Sequence, residues 1–157
     1  MKDDFVNNFL SEASSLEERF ADIYKFFGKL FVEDKDFWNQ LSNEELKHEA
    51  ILRSIQNTIA LSGDFTSGLS NNLLQDVIKT KEWVSSLLVN FSKNPPDRKT
   101  AFEAATQIEK TASEVHYQGV MCQEADSWFI QTLQKLNEFD LDHLVRIERY
   151  IQEKNII

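Results

Sequence analysis

The chain has 157 residues, 41% of them apolar and 27% charged, with a formal net charge of −9. That length and apolar content bury a core without disulfides and set aside a disordered tract, and the acidic balance argues against nucleic acid and anionic membranes as partners. A single cysteine excludes an internal disulfide, the opening MKDD is unlike a signal peptide, and no run approaches the ~18 apolar residues of a membrane span.

Four glycines and two prolines favour long helices over a turn-rich sheet. The expected fold is all-α, one domain over 1–157. Its architecture is an antiparallel four-helix bundle with a long crossover between the second and third helices. The first helix is expected over 12–32, with Phe20, Tyr24, Phe27 and Phe31 on its apolar face and Glu17 in phase with them. Of its other acids, Glu12 is an alternative and Glu18 should face solvent. A tight acidic link at 33–36 reads as solvated. The second helix is expected over 36–61, with Trp38, Leu41, Leu52, Ile55 and Ile59 on one face and Glu45 and His48 among them. The segment 62–72 reads as a loop, and a shorter amphipathic helix follows over about 71–92. KNPPDRK at 93–99 is a turn that places Pro96 near the first turn of the next helix. The third helix, 98–121, carries Glu109 between Ala105 and Ala112, with His116 two turns on. Glu103 and Glu114 lie on other faces. The fourth helix, 125–153, carries Phe129, Leu133, Leu136, Ile147 and Ile151, with Asp140 and His143 on the same face. Trp38, Trp83 and Trp128 read as packing residues and Cys122 as a small buried hydrophobe.

One phrase occurs twice. LSNEELKH at 41–48 and LNEFDLDH at 136–143 pair Leu41 with Leu136, Glu45 with Asp140 and His48 with His143. Each phrase puts an acid and a histidine one helical turn apart on a buried face. Four carboxylates in an apolar core repel one another and lose hydration. Shared protons or bound cations relieve that cost, and the two acid-x-x-His pairs favour cations. Carboxylate with neutral imidazole suits iron, manganese or zinc. Glu17, Glu45, His48, Glu109, Asp140 and His143 therefore form the candidate ligand set for two divalent ions between four helices. The charges of two such ions balance four carboxylates. Tyr24, seven residues after Glu17 on the same face, is either a hydrogen-bond donor at the centre or a core tyrosine. His116 is either a donor behind the ligands, an extra ligand or a boundary residue.

At these residues the chain resembles the ferritin-like superfamily, specifically its rubrerythrin-related branch. LEERFADIY at 16–24 is similar to that family's first-helix motif, FWNQLSNEELKHEAIL at 37–52 to the second, and AATQIEKTASEVHYQ at 104–118 to the third. The family pattern falls on Glu17, Glu45 with His48, Glu109, and Asp140 with His143. Asp140 stands where the pattern has glutamate, and the shorter side chain weakens a bridging role. The four-cysteine domain of classical rubrerythrins has no counterpart here. The resemblance implies a di-iron (or di-manganese) carboxylate centre, redox activity on peroxide or dioxygen, Tyr24 as a proton source, an external electron donor, and a homodimer; the lone cysteine suits a reducing compartment, so a cytoplasmic location is expected. Peroxide reduction leads. Ferroxidase-like iron handling, oxygenation of an organic substrate, and an interaction bundle with a partly degraded site remain alternatives.

Overall fold

The computed structural model describes residues 2–62, 71–115 and 128–157. Five helices account for nearly all of them: α1 Lys2–Leu30, α2 Lys35–Ser62, α3 Asn71–Lys93, α4 Arg98–Val115 and α5 Trp128–Glu153. The fold is all-α, a bundle whose crossover contains α3. None of the described helices is long and apolar enough to cross a membrane.

Helix α1 begins ten residues earlier than the expected start at 12. Val6, Phe9, Leu10 and Ala13 extend the stripe that continues through Leu16, Phe20, Tyr24 and Phe27, and all are buried. It stops at Phe31, whose backbone is extended, and a 3₁₀ turn over Val32–Asp34 feeds α2 directly. So short a link makes α1 and α2 antiparallel neighbours. Their contacts run in opposite order along the two helices: Ser42 Oγ donates to the Ala21 carbonyl at 2.8 Å, and Gln56 Nε2 to the Asn7 carbonyl at 3.2 Å. Gly28 lets the helices approach closely, because a Cβ there would lie 3.0 Å from Asn39 Oδ1 and 3.3 Å from Trp38 Cβ.

Helix α3 lies along α1, fastened by the Lys81–Glu12 ion pair midway along it and by the Phe27–Phe91 ring contact near its C-terminal end. Asp97 caps α4 by accepting from the Thr100 amide at 2.7 Å, so Pro96 precedes the cap instead of occupying the first turn. Helix α5 lies antiparallel to α4: Phe102 stacks on Tyr150, and Glu109 faces His143. It ends in a Schellman motif. Asn155 takes φ +49°, the Ile156 amide donates to the Ile151 carbonyl, and the Asn155 amide to Gln152. The expected parts of the third helix beyond 115 and of the fourth before 128, with His116 and Cys122, lie outside the described residues, as do residues 63–70 of the expected loop 62–72, whose described ends belong to α2 and α3.

Two further sequence expectations need correction. The acidic link is not wholly solvated: Asp34 is 1% exposed and accepts a two-pronged bond from Arg98, at 2.7 and 2.6 Å. Tyr150 adds a third bond at 2.9 Å. A carboxylate so held ties the α1–α2 turn to the start of α4 and the end of α5. Trp128, expected in the packing, is 51% exposed, because it occupies the first position of α5.

Candidate metal centre

The polar residues on the buried stripes meet at mid-bundle. Glu17, Glu45, Glu109, Asp140, His48 and His143 are each at most 4% exposed. Their donor atoms fall into two clusters, each with all atoms within 4.8 Å of one another. The first holds Glu17, Glu45, His48 and Asp140; the second holds Glu45, Glu109 and His143. Glu45 is common to both. Its Oε2 lies 2.9 Å from His48 Nδ1 and its Oε1 lies 3.0 Å from His143 Nδ1. Around this axis, His48 Nδ1 is 3.9 Å from Glu17 and 4.0 Å from Asp140, and His143 Nδ1 is 3.6 Å from Glu109. The two imidazole rings stack at 5.3 Å.

The local helix geometry explains this convergence. Three-residue spacing puts Glu45 above His48 on α2 and Asp140 above His143 on α5, one turn apart on each buried face. Ala105 and Ala112, both fully buried, flank Glu109 and keep that part of α4 small. The alternatives on each helix fall elsewhere. Glu12 pairs with Lys81, Glu18 is half-buried, and Glu103 is exposed beside Lys99.

The electrostatics show the strain of gathering four carboxylates in an apolar core. Burial, then the charges of Glu45 and Asp140, push Glu17 well above the usual carboxylate range. Burial and the Glu45 charge do the same to Asp140 and, less strongly, to Glu109. Burial would raise Glu45 too, but His143 and His48 outweigh it and hold Glu45 below its ordinary value. In return, despite its burial, the charge of Glu45 and bonds to Glu109 and Glu44 hold His143 protonated well above its usual range.

Among the described residues, six buried side-chain atoms lack a hydrogen-bond partner. Four belong to this set: both oxygens of Glu17, Oε2 of Glu109 and Oδ2 of Asp140. Trp38 Nε1 and Asn137 Oδ1 are the other two. Carboxylate oxygens without donors, facing imidazole nitrogens, are the donor set that hard-to-borderline divalent cations take. The residues present fit such ions.

Tyr24 is also brought to the centre. Its hydroxyl donates to Glu109 Oε1 at 2.5 Å, and burial followed by the Glu109 charge keeps the phenol protonated well above its usual range.

Two residues at the centre carry no signal in the sequence pattern. Glu44 Oε2 lies 2.9 Å from His143 Nε2 and accepts from Arg146 at 2.7 Å. Burial opposes its ionisation, but the bonds from His143 and Arg146 hold it at about 2. Glu44 thus grips the outer nitrogen of a histidine whose inner nitrogen faces the carboxylates, the arrangement that orients metal-ligating imidazoles. Glu44→Gln is expected to weaken metal binding by about ten- to a hundredfold, read by competition against a chelator of known affinity. The only hint in the sequence is an extra acid beside Glu45. A pocket of about 360 Å³ opens on this side, with Lys47, Ile51, Phe139 and Arg146 on its walls and both histidines at its floor.

Comparison of the chain with models of protein families, with curated proteins and with solved structures found no match.

Proposed function

We propose that the chain is a single ferritin-like domain, similar in design to the rubrerythrins, that binds two iron ions and reduces peroxide with electrons from an external donor. The observation that supports this most is the pair of overlapping buried clusters sharing Glu45, with four carboxylate oxygens in them left without a donor. Manganese or zinc would find the same oxygen and nitrogen ligands. The Asp140 substitution takes a specific form here. Its carboxylate joins the first cluster only, so that cluster has four donors and the second has three. A site with three protein donors leaves more of an ion's coordination positions open for a substrate than a site with four.

Two ferrous ions, if bound there, would supply the two electrons that hydrogen peroxide and two protons need to become two waters. The chain contributes the rest. Glu17, His48 and Asp140 would hold one ion, Glu109 and His143 the other, and Glu45 belongs to both donor clusters. Tyr24 keeps a proton at Glu109, 2.5 Å from a ligand oxygen. Ile51 and Phe139 put apolar surface beside the histidines. The fixed carboxylates and dipoles need little rearrangement as charge changes.

The test is elemental analysis of protein produced with added iron, followed by peroxide consumption. About two metals per chain are expected in the wild type, following the two donor clusters. Asp140→Ala should drop this toward about one, because the first cluster loses a donor and the second keeps all three. Absence of metal from protein supplied with iron, manganese or zinc, with or without air, would refute the catalytic reading and leave an interaction bundle.

A further inference from the structure

We propose that a basic pocket at the α1–α2 corner docks a small acidic electron-transfer protein, whose electrons reach the metal centre through Trp38 and Tyr24. This deepens the redox reading above and rests on it. The pocket measures about 410 Å³ and is lined by Lys25, Gly28, Lys29, Val32, Lys35 and Asn39. No acid lines it. The three lysines are exposed, and none is paired with a carboxylate among the described residues. Val32, 75% exposed, adds an apolar contact.

A chain of net charge −9 repels an acidic partner at long range. Within the ~8 Å over which charges act at physiological ionic strength, the local balance decides the encounter: three lysines outnumber the exposed Asp36 beside Lys35, and Glu33 lies 3.9 Å from Arg98. Three ammoniums around an apolar contact fit a carboxylate cluster on another protein. Small interfaces of this kind serve transient electron-transfer encounters.

The floor of the pocket connects to the centre. At Gly28 the absent side chain leaves Trp38 Cβ 3.3 Å from where a Cβ would stand. Trp38 is fully buried, and its ring stacks on Tyr24 with centroids 5.9 Å apart and planes 22° apart. The Tyr24 hydroxyl is bonded to Glu109, a member of the second cluster. Lys35 and Trp38 lie one turn apart on α2, so the docking contact and the aromatic column share one rigid element. Each encounter delivers one electron as the donor goes from reduced to oxidised. Two encounters supply the pair that reduces one peroxide, with two protons from solvent, to two waters.

The test uses the full iron-loaded chain and a reduced acidic [2Fe–2S] ferredoxin as probe, mixed by stopped flow. The triple variant Lys25→Glu, Lys29→Glu, Lys35→Glu should keep its iron yet take electrons from ferredoxin about ten- to a hundredfold more slowly at low salt. Reduction by the methyl viologen radical cation should not slow. Trp38→Phe should bind ferredoxin as the wild type does and accept electrons more slowly at saturation. Titration calorimetry of the metal-free protein with oxidised ferredoxin reads docking without the centre, and the triple variant should lose that heat. Equal ferredoxin binding and equal rates in the triple variant would overturn the docking surface while leaving the metal centre intact. So would a lysine-dependent self-association in sedimentation with no ferredoxin binding, which would make the partner a second copy. A wild type without iron would instead sink the metal reading and the electron route together.

Discussion

Metal-free protein is expected to be most stable in mild acid and to weaken as the pH rises, with added divalent metal reversing the loss. The sign follows from the buried acids. Burial and the Glu45 charge raise Glu17 and Asp140 above their ordinary values, and burial with the same charge raises Glu109. Unfolded, these groups titrate near about pH 4. Above that pH the folded chain binds more protons than the unfolded one, so stability falls as pH rises. His143, raised chiefly by Glu45 against its burial, adds the same slope above its unfolded value of about 6.5. Glu45 is lowered, so its contribution has the opposite sign but acts only below about pH 4. Each proton held in excess is worth about 1.4 kcal/mol per pH unit.

Glu17→Gln keeps the side-chain shape and removes a donorless acid whose burial costs either a charge or the uptake of a proton. At about pH 8 it should stabilise the metal-free protein by about 2 kcal/mol, or roughly 4–8 °C at about 2–4 °C per kcal/mol. The same change should weaken metal binding. Saturating metal should stabilise the wild type by about 4 kcal/mol at a thousandfold excess over Kd and raise its melting temperature accordingly, and that of Glu17→Gln by less. Calorimetric scans with and without metal read both effects. A Glu17→Gln protein that melts lower without metal and binds metal normally would show Glu17 to be a structural acid.

The second large effect lies at the clamp beneath the α1–α2 turn. Arg98→Ala is expected to cost about 3–5 kcal/mol, because it strands a buried carboxylate. Asp34 would keep only the Tyr150 bond. Asp34→Ala should cost less, because the Arg98 side chain is already 32% exposed and can rehydrate. The double variant should recover part of the Arg98→Ala loss, and urea unfolding of the three proteins reads the order. Asp34 also gives an acid limb of opposite sign to the metal cluster. Burial opposes its ionisation, but the bonds from Arg98 and Tyr150 outweigh it and hold its value down. Its stabilisation is present above the unfolded value of about 3.9 and is lost as the pH falls through the lowered folded one. That limb should vanish in Asp34→Ala. Equal losses in the two single variants would show that burial of Asp34 does not govern the clamp.

Helix periodicity made much of this legible. Phe20, Tyr24 and Phe27 recur at helical spacing, and residues sharing a face with them are fixed by backbone geometry alone. Glu17, Glu45, Glu109 and Asp140 could therefore be placed on buried faces, and the structure brings them together with the two histidines. The first ten residues were harder. Lys2, Asp3, Asp4, Asn7 and Asn8 mask the signal of Val6, Phe9 and Leu10, which takes its weight from packing in the bundle. Partnerships across the bundle were not legible. Asp34 meets Arg98 and Tyr150, and Glu44 meets His143 and Arg146, across sequence gaps that no local period spans. Such contacts depend on how helices are set side by side, and a short acidic run looks the same whether solvated or clamped. Which cluster would take Asp140 was equally hidden, because it depends on the rotation of α5 about its own axis.

The placement of Trp38 also makes the centre visible from outside. An indole sealed from water emits in the blue, and this one lies on Tyr24, one hydrogen bond from a residue of the second cluster. Trp83, partly buried, and Trp128, half exposed, emit further to the red, so Trp38 reports on surroundings that the other two do not share. A paramagnetic ion bound beside Glu109 would quench the blue component first. Filling and emptying of the bundle would then register as a change in the colour of its own light, without a dye or an added label.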